Sequence, residues 1–110
     1  MSVKVVSKAS VLADLNALKT TVNNLPNSAF LPGTKAALLS LLSATEIQAK
    51  FNLYGSAAKT LQKQVLPHMD GCSANGKPNN NDWVRTCAAQ GQLYPQVQNL
   101  IQELQALQGS

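Results

Sequence analysis

Apolar residues in this chain return every three or four positions, and no stretch of useful length alternates apolar with polar. A period near 3.6 gathers such side chains on one face of a helix, whereas a half-buried strand needs a period of two. Val11, Leu12, Leu15, Leu18 and Val22 make one such face. Ala37, Leu38, Leu41, Leu42 and Thr45 make a second, continued by Ile47 and Phe51. Ala57, Ala58, Leu61, Val65 and Leu66 make a third, with Leu53 and Tyr54 packing at the junction before it. The fourth begins with Trp83, Cys87, Gln90 and Tyr94 at heptad-like spacing and runs on through Val97, Leu100, Ile101, Leu104 and Leu107. Four helices joined by short links predict an all-α fold, an antiparallel four-helix bundle. With 110 residues there is material for one core and one domain.

Local signals set the expected boundaries. Ser7 or Ser10 caps the first helix, and Asn23, Asn24 and Pro26 stop it. The link from Leu25 to Gly33 holds two prolines and a glycine, so it is not helical throughout, and Phe30 and Leu31 are expected to fold back onto the core. Thr34 is a cap for the second helix, whose wide apolar arc predicts the most buried element. That helix weakens from Asn52 to Gly55; Ser56 restarts a third, and Pro67 ends it. Asn80 or Asn81 caps the last helix, with Asp82 in its first turn, and Pro95 kinks or breaks it. The expected layout is a flexible tail over 1–8 and one domain over 9–108, with helices at about 9–24, 34–51, 56–66 and 81–107 and a kink near 91–95.

The one long irregular segment, Pro67 to Asn81, contains Cys72, and Cys87 follows it. Loops of this length are functional, disordered or stapled. A disulfide would close a loop of about 15 residues and contribute about 3 kcal/mol in the chain-entropy model. Two cysteines and His68 make a poor zinc set, so the spacing favours a disulfide-stapled loop over a metal site or two free thiols. A disulfide would imply an oxidising compartment.

Charged residues are only 13% of the chain, and ten Gln and ten Asn carry much of its polarity. The net charge of +4 comes from dispersed lysines and a single Arg85, without the basic cluster that a nucleic-acid partner needs. The longest apolar run, Ala36 to Leu42, contains Ser40 and is far short of the roughly 20 residues of a membrane span. Met1 to Lys4 has no apolar signal-peptide core, and Gly109–Ser110 reads as a cloning scar, so an excised domain is expected.

No motif for phosphate binding, a nucleophile elbow or helical metal ligation is present, and the five acids fall on different elements. A non-enzyme without cofactor or metal is expected. Asp70, Asn75, Asn79, Asn80, Asn81 and Asp82 offer oxygen ligands for calcium, but EF-hand spacing fails because Cys72 and Ala74 stand at ligand positions. Turn and cap roles are the preferred reading. Trp83 and Tyr94, about three turns apart on one expected helical face, are core anchors if buried and a binding surface if exposed. If any surface binds, these eight residues are the candidates.

Asp70-Gly71-Cys72, Gly76-Lys77-Pro78, the block from Asn81-Asp82-Trp83 to Cys87-Ala88-Ala89-Gln90, and then Tyr94 resemble a pattern found in accessory helical modules. Such modules sit near the C-termini of large secreted bacterial proteins. Leu31-Pro32-Gly33-Thr34 with the leucine pairs at 38–39 and 41–42 is similar to the layout of FIMAH-type modules, although the Phe-Ile-Met-Ala-His string is absent. The resemblance spans roughly residues 9–107. It implies a secreted bacterial origin, a Cys72–Cys87 disulfide and a spacer or binding role. The expected function is a non-catalytic accessory module, secreted or at the cell surface, acting in attachment, spacing or protein association. Its expected partners are other domains of its parent protein or extracellular molecules. A helical ligand-binding domain for a glycan or apolar molecule is the alternative, and an inhibitor or effector of a partner enzyme the third.

Overall fold

The computed structural model describes residues 7–78 and 82–108; the tail at 1–6 and the expected caps Asn80 and Asn81 lie outside them. Five α-helices occur among the described residues: α1 (Lys8–Asn24), α2 (Thr34–Lys50), α3 (Tyr54–Thr60), α4 (Gly71–Asn75) and α5 (Cys87–Gln108). The described residues hold no strand, only one isolated antiparallel bridge between Phe30 and Val84. Four of the helices close a ring: α1 packs on α2 and α5, and α3 packs on the same two. Inside the ring lie Val11, Leu15, Leu18 and Val22 of α1, Leu38 and Leu42 of α2, Ala57 and Ala58 of α3, and Leu93, Val97, Leu100 and Leu104 of α5, all buried.

Both candidate cap serines are used at the start of α1. Ser7 Oγ accepts from the Ser10 N–H, and Ser10 Oγ accepts from the Ser7 N–H. This reciprocal capping box satisfies two N–H groups at the helix entrance. It also orders Ser7 and Lys8, which the sequence assigns to the tail. At the other end Leu25 is extended, as a residue before proline prefers. Lys35 reaches back from α2 to donate to the Asn23 and Leu25 carbonyls, an interaction between a cation and a helix C-terminus.

Several expectations are corrected. Thr34 is the first residue of α2, and its hydroxyl donates back to the Leu31 carbonyl; Gly33, at φ 81°, occupies the cap position. Phe30 is buried, but Leu31 is exposed. The helix that contributes most buried residues is α5, with eight against four in α2, so α2 is not the most buried element. The third helix starts two residues early, at Tyr54, with no cap from Ser56. It then widens into a π-helical turn, Leu61–Val65, and tightens into a 3₁₀ turn, Leu66–His68. Pro67 explains the change: it has no N–H to donate, and its ring crowds the carbonyl four residues back, which a widened turn relieves.

The segment expected to be irregular contains α4, which ends at Gly76 in the left-handed conformation (φ 80°). The last helix begins at Cys87, not near 81, because the Thr86 hydroxyl caps it by accepting from the Ala89 N–H. Trp83 therefore precedes the helix. Pro95 does not interrupt α5. Pro95 and Gly91 are both exposed, so the Gly91 carbonyl that loses its helical donor faces water.

Candidate functional site

The segment from Met69 to Gln90 is held by one covalent bond and one polar hub. Cys72, in α4, and Cys87, the first residue of α5, form the disulfide, with Cα atoms 5.5 Å apart. One turn further along α5, Gln90 is buried and uses both ends of its amide. Its Oε1 accepts from the Cys72 N–H at 2.9 Å. Its Nε2 donates to Asp82 Oδ2 at 2.7 Å and to the Val84 carbonyl at 2.8 Å. The same Asp82 oxygen accepts from the Gly71 N–H at 3.1 Å, at the start of α4.

Asp82 is thus an internal strut, fully buried, and is removed from the candidate binding surface. Its carboxylate faces the N-terminus of α4 rather than that of the last helix. Asp70 is half-buried at the N-cap position of α4, and Asn75 is exposed at that helix's end. Asn79, Asn80 and Asn81 lie outside the described residues. Among the described residues, no group of three or more His, Cys, Asp and Glu side chains is placed to hold a metal.

Trp83 and Tyr94 do not share a face. Tyr94 borders an open cleft of about 300 Å³ beside the disulfide, with Met69, Ser73 and Pro95. Trp83 borders another, of about 530 Å³, between α2 and the π turn. Its ring stacks on His68 with centroids 3.9 Å apart and planes 9° apart. Backbone bonds set this pair. The Trp83 N–H donates to the His68 carbonyl at 2.8 Å, and the Trp83 carbonyl accepts from the Leu31 N–H at 2.8 Å. The Phe30–Val84 bridge and the Arg85 N–H on the Ala29 carbonyl continue the same seam. His68, dismissed above as a zinc ligand, is instead the stacking partner that covers one face of Trp83.

A further feature lies at the turn between α2 and α3. Ile47, Phe51 and Leu53, expected to pack inward, are 54%, 72% and 52% exposed. Asn52 adopts a left-handed φ of 64°, and its side-chain oxygen accepts from the Tyr54 hydroxyl at 2.9 Å. Asparagine tolerates this conformation better than other side-chain-bearing residues. The turn thereby carries Phe51 and Leu53 outward on a defined backbone, and Ile47 in the last turn of α2 is exposed beside them in sequence.

Compared with protein-family models, curated proteins and solved structures, the chain matches none. The likeness to FIMAH-type modules therefore rests on the quoted residues alone.

Proposed function

We propose that this chain is a non-catalytic accessory module of a secreted or cell-surface bacterial protein, built as a disulfide-stapled antiparallel four-helix bundle and acting in attachment or protein association. The observation that carries the reading is the apolar turn: Ile47, Phe51 and Leu53 stand in solvent within seven residues of each other. Isolated exposed apolar residues are ordinary, but a cluster of large ones marks a surface that another molecule covers. The Lys50 side chain beside it, 57% exposed and 3.7 Å from Glu46, adds a polar rim. The Cys72–Cys87 disulfide agrees with an oxidising, extracellular setting. The partner in this reading is a neighbouring domain of the parent protein or another surface protein.

The test is photo-crosslinking in the producing cell, with a benzoylphenylalanine replacing Phe51 in one variant and the exposed Gln105 in another. A discrete protein adduct, or an intrachain link to a neighbouring domain, is expected from position 51 and not from 105. Identical patterns at the two positions would remove the association reading. The second reading, a ligand-binding domain, is favoured by a different observation, the stacked ring pair at the wall of a cleft.

A further inference from the structure

The chain has one tryptophan and places it at a cleft wall, half-buried and stacked on His68, rather than among its buried core residues. The cleft has an apolar floor from Ala37 and Leu41 of α2 and the two rings, and a polar rim from Ser40, Lys63 and Gln64. Lys63 and Gln64 are successive residues of the widened turn, Leu61–Val65. Widened helical turns of this kind recur at functional sites because they redirect side chains that a regular helix would carry elsewhere. No internal hydrogen bond or ion pair engages the three rim side chains among the described residues. Trp83, in contrast, is positioned in advance by its backbone bonds to His68 and Leu31, so little ordering is left to occur on binding.

The shape of the cleft selects among occupants. It is open to solvent, which leaves much of an acyl chain wet and forfeits the burial that would bind it. A sugar ring has one apolar C–H face for an aromatic platform and polar edges that tolerate solvent. The rim supplies a hydroxyl from Ser40, an amide from Gln64 and an ammonium from Lys63. We infer that this cleft is a binding site for an acidic sugar, a uronate-type ring stacked on the Trp83 face that His68 does not cover, with its carboxylate toward Lys63. The inference rests on the ligand-binding reading and names its ligand class; it uses a different surface from the apolar turn of the association reading.

Because Trp83 is the single tryptophan, its fluorescence reports on this cleft alone. The experiment titrates the oxidised protein with trigalacturonate, monomeric galacturonate, neutral galactotriose and decanoate, and checks each by saturation-transfer NMR on ligand protons. Saturable binding of trigalacturonate is expected, about ten-fold tighter than galactotriose, a charge effect of about 1.4 kcal/mol. Lys63→Gln, at an exposed position, should reduce the acidic sugar to the neutral one's affinity without changing Tm. Phe51→Ser should leave sugar binding untouched, which separates this test from that of the association surface. Monomer binding as tight as trimer supports a single-ring site, and preference for the trimer supports a polysaccharide strand. The proposal is overturned by no saccharide response in either readout, by equal affinity for acidic and neutral sugars, or by decanoate binding more tightly than trigalacturonate.

Discussion

Gln90 shows how much one uncharged side chain can organise. Its amide bonds to groups on three successive parts of the chain: Cys72 in α4, Asp82 before the last helix, and Val84 in the bridge. Buried polar groups that lose a partner cost about 1–3 kcal/mol each, more when one is charged. Gln90→Leu keeps the volume and removes all three bonds, so a loss of about 3 kcal/mol or more is expected in urea unfolding. A variant within 0.5 kcal/mol of the parent, roughly the range of inert surface changes, would mean the hub is dispensable. The residue was visible in the sequence as an amide on the apolar stripe of the last helix. Its partners were not, because Cys72 and Asp82 lie eighteen and eight residues away with turns between them.

Helix ends and interiors make opposite demands on glycine, and two substitutions expose the difference. Gly91 is inside α5, and a Cβ built there meets nothing within 4 Å. Gly91→Ala should raise stability by about 0.5–1 kcal/mol, since alanine loses less backbone entropy in a helix. Gly33 precedes α2 at φ 81°, where an L side chain is strained even though space is open. Gly33→Ala should lower stability by about 1–2 kcal/mol. Thermal melts of the pair should move in opposite directions; a shared direction would contradict the assigned backbone conformations. At α1 the capping box makes Ser7→Ala worth a loss of about 1 kcal/mol, measurable by the same melts. These element ends were partly legible: Ser7, Asn24 and Lys50 bound helices close to where caps and breakers indicated. Thr86 caps the last helix, but the asparagine run upstream offers caps that local preference ranks above threonine, so the sequence points to the wrong start.

For the molecule as a whole the largest single lever is the disulfide. It joins positions 15 residues apart and ties α4 to α5, which otherwise have few contacts. Cutting it is expected to cost about 3 kcal/mol in the chain-entropy model. For a domain of this size each kcal/mol shifts Tm by about 4–8 °C, so reduction should lower the melting point by more than about 10 °C. Intact mass with and without reductant, followed by melts of both forms, checks this. An unchanged melting point after a two-proton gain would show that the Gln90 hub and the Phe30–Val84 seam suffice to hold the segment.

What the sequence determined by itself is the helical class and the candidate staple. A 3.6-residue apolar period leaves no alternative secondary structure, and two cysteines flanking a glycine- and asparagine-rich segment make one bridge the economical solution. Which apolar residues face inward was decided only by tertiary packing. Ile47 and Phe51 follow the α2 leucines in sequence, yet the packed face runs on through Thr45 and Ala49, both buried, and leaves Ile47 and Phe51 on the opposite side in solvent. Trp83 fits the spacing of the last helix, yet it lies outside that helix, fixed by carbonyls and amides of His68 and Leu31. Periodicity reports the face on which a side chain lies. Whether another element covers that face depends on contacts between residues far apart in the chain, and local patterns carry no record of them.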